Sequence, residues 1–147
     1  MNKEKKNTVL IVDDEHVNLK ILTHILENEY TIYTAQDGIS AIKKAMEVSP
    51  DLILLDIVMP EADGYEALTM LKKLKETQNI PVIYISGLDH TGEEEKGLAL
   101  GAVDYITKPF SSKILRLRVR HQIQIINQMR TIDQLKKDEP QETEQSA

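Results

Sequence analysis

The chain has 147 residues, 41% of them hydrophobic and 29% charged, with a formal net charge of −6 and no cysteine. That length suits one domain with a proper core and excludes two ordinary ones. The acidic balance argues against broad nucleic-acid binding, and the lack of cysteine excludes a disulfide framework or a thiolate metal site, as expected of a cytoplasmic protein. No apolar run approaches the roughly 20 residues that span a bilayer, and the polar start Met1-Asn2-Lys3-Glu4-Lys5-Lys6 is not expected to act as a secretory signal.

In chain order, Val9-Leu10-Ile11-Val12 reads as a first strand that ends in Asp13-Asp14. Ile21, Leu22, Ile25 and Leu26 then follow a helical spacing. Tyr30 to Ala35 reads as a second strand, and Ala41-Ile42 with Ala45-Met46 marks one face of a second helix. Asp51 to Asp56 is an almost wholly apolar strand, as expected where helices cover both faces of a sheet. Asp63-Gly64 opens a third helix carrying Leu68, Leu71 and Leu74, and Pro81 leads into the strand Val82-Ile83-Tyr84-Ile85, followed by Ser86-Gly87. Glu93 to Leu100 is a weaker helix closed by Gly101, Val103 to Thr107 is a fifth strand, and Ser111 or Ser112 is placed to cap a last helix. There is no internal repeat.

Five strands alternating with five helices imply right-handed crossovers and an α/β fold with a parallel sheet covered on both faces. Ligands of such sheets bind beyond the carboxyl ends of the strands, where strand order reverses. If that order is 2-1-3-4-5, strands one and three flank the reversal, and Asp13, Asp14 and Asp56 converge there.

Taken singly, these residues have plain structural readings. Asp13-Asp14 suits a helix N-cap, Ser86 a turn cap, and Lys108 before Pro109 a solvated turn. Asp56 is more informative, because a charge that closes the most buried strand must be solvated, paired or bound to a cation. Three nearby carboxylates repel one another unless a cation neutralises them, and all-oxygen ligation favours magnesium or calcium. The histidines at 16, 24, 90 and 121 have no ligand spacing and receive no metal role.

Val-Asp-Asp at 12–14, Leu-Leu-Asp-Ile-Val-Met-Pro at 54–60, Asp63-Gly64, Ile85-Ser86-Gly87 and the run from Gly101 to Phe110 stand in a fixed order. With these pieces the chain resembles the receiver domain of two-component response regulators over residues 7–122. The resemblance implies a flavodoxin-like, doubly wound (βα)5 fold with strand order 2-1-3-4-5. It implies that Asp56 is the phosphoacceptor and that the cofactor is Mg²⁺. Asp14 would bind the ion directly and Asp13 directly or through water, with Asp56 and the backbone carbonyl of Val58 completing the protein ligands. It also implies that Ser86 hydrogen-bonds the phosphoryl group, that Lys108 pairs with its charge, that Tyr105 is the switch aromatic, and that the Lys108–Pro109 bond is cis. The donor would be a sensor histidine kinase, and the output the surface formed by the fourth helix, fifth strand and fifth helix. Val58 and Leu88 depart from the family's commoner polar choices, which bears on the lifetime of the phosphorylated state.

From Ser111 to Lys137 there is no Pro or Gly, and 27 helical residues span about 40 Å, roughly twice what covering the sheet requires. Ile123, Ile125, Ile126, Met129, Ile132 and Leu135 continue the apolar pattern, so residues 123–137 read as a helical extension able to pair with a second copy as a parallel coiled coil. Its basic residues suit a solvated face or pairing with acids such as Glu93, Glu94 and Glu95 better than DNA, and no nucleic-acid module follows. Residues 138–147, with four acids and no base, read as a disordered tail or a linker to an output domain. The run from Lys108-Pro109-Phe110 to Arg118-Val119-Arg120 loosely resembles receivers joined to cyclic-dinucleotide enzymes. A phosphoaspartate hydrolase is disfavoured because Val58 stands where such enzymes carry a second Asp as acid/base. A binding module independent of phosphorylation is disfavoured by the intact set Asp13, Asp14, Asp56, Ser86 and Lys108. The reading is therefore a switch that catalyses only its own phosphorylation and dephosphorylation.

Overall fold

The computed structural model describes residues 6–57, 64–87 and 91–138. Its elements, in order, are β1 (Thr8–Val12), α1 (His16–Leu26), β2 (Thr31–Ala35), α2 (Gly38–Val48), β3 (Leu52–Asp56), α3 (Gly64–Lys73), β4 (Val82–Ser86), α4 (Thr91–Ala99), β5 (Asp104–Thr107) and α5 (Ser112–Asp138). All neighbouring strands are parallel, and the sheet order is β2-β1-β3-β4-β5. The doubly wound topology expected from the alternation is thus the one formed. Among the described residues, no helix is long and apolar enough to cross a membrane.

The two faces follow the alternation of side chains along each strand. Leu10, Val12, Ile53, Leu55, Val82 and Tyr84 pack with α2 and α3 through Ala41, Ala45, Ala67, Leu68 and Leu71. Val9, Ile11, Leu52, Leu54, Ile83 and Ile85 pack on the other face with Leu19, Leu22 and Leu26 of α1 and Leu115, Val119 and Ile123 of α5. Burial on both faces is why β1, β3 and β4 are nearly continuous apolar runs. These layers leave the C-terminal strand ends as the polar edge of the sheet.

Element ends differ slightly from the sequence expectation. Tyr30 lies in the turn that follows α1, its N–H donating to Leu26 O at 3.1 Å, and β2 starts one residue later. α4 begins two residues before Glu93, since polar residues lengthen a helix without adding to its apolar pattern. It ends in a Schellman turn: Ala102 N–H donates to Gly97 O at 3.1 Å and Gly101 N–H to Leu98 O at 3.1 Å. Gly101 takes φ +110°, a conformation that glycine adopts without strain. Ser111 caps α5, its Oγ accepting from Ile114 N–H at 3.4 Å.

α5 stays against the domain one to two turns past the boundary at Gln122 read from the sequence. Ile123 is buried and Ile126 packs on the same core. Arg130 Nη2 reaches Asp51 Oδ1 at 2.6 Å, and Asn127 exchanges hydrogen bonds with Asn7 at 3.1 and 3.2 Å. Other basic residues of this helix pair with acids outside α4: Arg118 with Asp104 at 2.9 Å and Arg120 with Glu29 at 3.4 Å. Every residue from Asn127 to Asp138 is exposed, and the tail assigned to disorder lies, from Glu139 onward, outside the described residues.

Candidate functional site

β1 and β3 are adjacent and parallel, with Val12 opposite Leu55, so the residues that follow them share one end of the sheet. Asp13 leaves β1 with its N–H still donating to Ala35 O at 3.1 Å. Its Oδ1 accepts from Glu15 N–H at 2.9 Å, which turns the chain into α1. Asp13 is fully buried, and among the described residues its Oδ2 has no hydrogen-bond partner. Asp56 closes β3 and is also buried, whereas Asp14 is exposed. One carboxylate oxygen from each of the three lies within 4.8 Å of the others.

Lys108 arrives from the far side. Its backbone N–H donates to Ser86 O at 2.9 Å, which fastens the end of β5 to the end of β4. The Lys108–Pro109 bond is cis. Its Nζ lies 3.1 Å from Asp56 Oδ2 and 4.0 Å from Asp13 Oδ2. Partial burial works against the ammonium, but the charge of Asp56, the hydrogen bond to it and the charge of Asp13 outweigh this and raise the Lys108 pKa. Burial foremost, with the charge of Asp56 added, pushes the Asp13 carboxyl up to about 6 despite its hydrogen bond from Glu15 and the pull of Lys108.

Three carboxylates, two of them buried, gather beside Lys108, and among the described residues the Oδ2 of Asp13 accepts no hydrogen bond. The acidic cluster can therefore hold a hard cation: the orphaned Oδ2 of Asp13 and the all-carboxylate donor set fit one. Ser86, buried at the end of β4, completes the rim, and among the described residues its Oγ has no hydrogen-bond partner. Tyr105 is half-buried on β5 and stacks on Tyr84. Asp13, Asp14, Asp56 and Lys108 are thus brought together, with Ser86 on the adjacent strand end. Val58 and Leu88, together with Asp63, lie outside the described residues.

One contributor was hidden in the sequence. Gly64, read there as a helix opener and as part of the Asp63-Gly64 piece of the resemblance, is pressed on the backbone that carries Asp56: a Cβ at Gly64 would fall 2.7 Å from Asp56 O and still closer to Ile57 Cα. The N-terminus of α3 can approach β3 so closely only because that residue has no side chain. Its adjacency to Asp63 in an Asp-Gly pair was the available signal.

The family described as response regulator receiver domain matches residues 9–120. The chain is 41% identical over 117 residues to a probable cyclic di-GMP phosphodiesterase of Vibrio cholerae serotype O1, covering 80% of this chain and 26% of that protein. It is 40% identical over 121 residues to the alkaline phosphatase synthesis transcriptional regulatory protein PhoP of Bacillus subtilis, covering 82% of this chain and 48% of that one. Among solved structures, a putative response regulator from Chloroflexus aurantiacus superposes with a TM-score of 0.77 at 28% identity, over 80% of this chain and 98% of that chain. The chain spans about a quarter to a half of the length of these two curated relatives.

Proposed function

Because the chain belongs to the response regulator receiver domain family, we propose that Asp56 is the residue that accepts the phosphoryl group and that a sensor histidine kinase supplies it. The observation that carries this reading is the buried Asp56 carboxylate with Lys108 Nζ 3.1 Å away and Asp13 beside it. In the proposed step an Asp56 oxygen attacks phosphorus in line. An O–P bond forms as the P–N bond to the donor imidazole breaks, and its electron pair stays on that nitrogen. Such transfers need alignment and charge neutralisation more than covalent chemistry from the protein. Mg²⁺, held by Asp13, Asp14, Asp56 and the carbonyl of Val58, would supply part of that neutralisation. Lys108 would supply the rest, exchanging its present contact with Asp56 for the phosphoryl oxygens. Ser86 Oγ would donate to one of those oxygens, and water would later hydrolyse the acyl phosphate at the same place.

The new charge and acceptors at Asp56 would pull on Ser86 and Lys108, reorient Tyr105 and alter the α4–β5–α5 surface that signals downstream. This is a switch that turns over no external substrate. A cytoplasmic location, an output domain joined to or separate from this chain, and a homodimer through α5 belong to the same proposal, with no direct contact to nucleic acid. Intact-mass measurement after incubation with a small phosphodonor tests it. One phosphoryl should be gained with Mg²⁺, little with a chelator, and none in Asp56→Ala. An equal gain in Asp56→Ala would refute the assignment, and no uptake by the native chain would favour a binding module independent of phosphorylation.

A further inference from the structure

Tyr105 does not stand alone on its face of the sheet. β4 and β5 pair with Tyr84 opposite Tyr105 and Ser86 opposite Thr107. Residues two apart on a strand share a face, so Tyr84 lies on the same side as Ser86, about 7 Å back along β4. The Tyr84 ring is fully buried and stacks on that of Tyr105, with centroids 5.8 Å apart and planes inclined by 26°.

α4 is seated on the Tyr84 ring. A Cβ at Gly97 would fall 2.8 Å from Tyr84 Cδ1 and closer still to Cε1 and Cζ, so the ring fills the gap between strand and helix. The next residue back, Lys96, places Nζ 4.2 Å from the ring centroid of Tyr65, which follows the Gly64 packed on Asp56. α4 thus rests on two tyrosine rings, and each springs from an element that ends at the acidic site. A large ring beneath a helical glycine is a matched pair: a smaller residue at 84 would leave a void, and a larger one at 97 could not be seated.

We infer that Tyr84 is a positioning residue that couples Tyr105 to α4. Tyr105 cannot turn toward β4 without displacing the Tyr84 ring, and that ring cannot move toward α4 without unseating Gly97. The trigger rests on the phosphorylation reading above, whereas the coupling is a property of the resting chain.

The coupling is tested first without phosphate, from the NMR signals of Tyr105 and of residues 95–99. In the native background Gly97→Ala should shift the Tyr105 signals, because the added methyl must push the Tyr84 ring aside. In Tyr84→Leu the same change should move them less than about a third as far, and in Tyr84→Phe nearly as far as in the native chain. Should Tyr84→Leu fail to fold, Tyr84→Met serves in its place. Equal Tyr105 shifts in all backgrounds would overturn the proposal.

Phosphodonor and Mg²⁺ are then added. Tyr84→Leu should gain one phosphoryl at a rate within about twofold of the native chain while the accompanying shifts in α4 and Tyr105 are largely lost, and Tyr84→Phe should restore them. A Tyr84→Leu variant that takes up phosphoryl and responds like the native chain would also overturn the proposal. Absence of uptake by the native chain would defeat the phosphorylation reading instead, and the phosphate-free comparison then decides the coupling.

Discussion

Lys108 Nζ lies 3.1 Å from Asp56 Oδ2, a contact that joins the ends of two strands separated by β4. The same ammonium is 4.0 Å from Asp13 Oδ2, so one cation spans both buried carboxylates before any phosphoryl group arrives. For Lys108→Ala we predict that phosphoryl uptake persists at a reduced rate, because the carboxylates still offer a cation site. The response of Tyr105 and α5 should be lost, because the new charge no longer draws β5 toward β3. NMR shifts at Tyr105 that match those of the native chain on phosphorylation would contradict this.

Asp13 is a stability liability without a cation. It is buried, Oδ2 has no hydrogen-bond partner among the described residues, and Asp56 stands close by. Asp13→Asn should therefore be more stable than the native chain in chelator, by something on the order of 1–3 kcal/mol, and should gain less than the native chain from added Mg²⁺. The pH dependence has a definite sign. Asp13 titrates at about 6 in the folded chain against an ordinary 3.8, so the native state holds the extra proton between those values. Native stability relative to Asp13→Asn should thus rise as pH falls from about 6 toward about 4 in chelator, and Mg²⁺ binding should weaken over the same interval. Thermal melts of both proteins at pH 4.5 and 7.5 check it, and a constant difference would count against the buried-charge account.

Gly64→Ala would put a methyl against Asp56 O and Ile57 Cα, both main-chain atoms that cannot swing away. α3 must then lift from β3. We predict a loss of about 1–3 kcal/mol in stability, the range for forced overpacking, together with slower phosphoryl uptake. Urea unfolding and intact-mass time courses measure the two effects. Native-like values in both would mean that α3 is free to shift without disturbing Asp56.

The layered fold was legible in the sequence because burial on both faces writes β1, β3 and β4 as apolar runs that alternate with helical spacing. Asp13, Asp14, Asp56 and Lys108 were legible for a related reason: in a parallel sheet, residues just past the strands must meet at one edge. What escaped depends on pairs that only the folded chain juxtaposes. Tyr84 reads as one more apolar position of β4 until Gly97 is seen above its ring. The boundary at Gln122 followed the extent of the family resemblance, whereas α5 keeps touching the core past it through Ile123 and Ile126. The contacts that hold α5 further, Arg130 to Asp51 and Asn127 to Asn7, are polar and leave no periodic trace.

Val58 and Leu88 follow Asp56 and Ser86 by two residues each and carry no hydrogen-bonding side chain. Neither side chain offers a donor or acceptor with which to orient a water. We predict slow loss of the phosphoryl group, and a shorter acyl-phosphate half-life when Val58→Asn is combined with a polar residue at 88. Decay followed by intact mass decides this, and an unchanged or longer half-life in the double variant would argue against it.

The last prediction concerns assembly. Ile114, Leu117, Ile132 and Leu135 are 44%, 48%, 52% and 61% exposed. With the half-buried Ile125 they fall on one side of α5, opposite the side that Leu115, Val119 and Ile123 bury. Ile126 packs on the domain's own core, so the seam open to a second copy passes through Ile125, Met129, Ile132 and Leu135. Fewer side chains are available to a two-helix coil than the sequence suggested. At roughly 1.5–3 kcal/mol for each large side chain buried, before the cost of association, such a seam supports only a weak dimer. Phosphorylation would strengthen it if the α4–β5–α5 surface, which shares α5, joins the contact. Sedimentation of the native chain should therefore show concentration-dependent dimerisation that increases with phosphodonor and Mg²⁺. The double variant Ile125→Glu, Ile132→Glu should abolish it, since these charges would face their own copies across a parallel pair. If the native chain stays monomeric at high concentration in both states, the seam is not a contact between two copies of this chain.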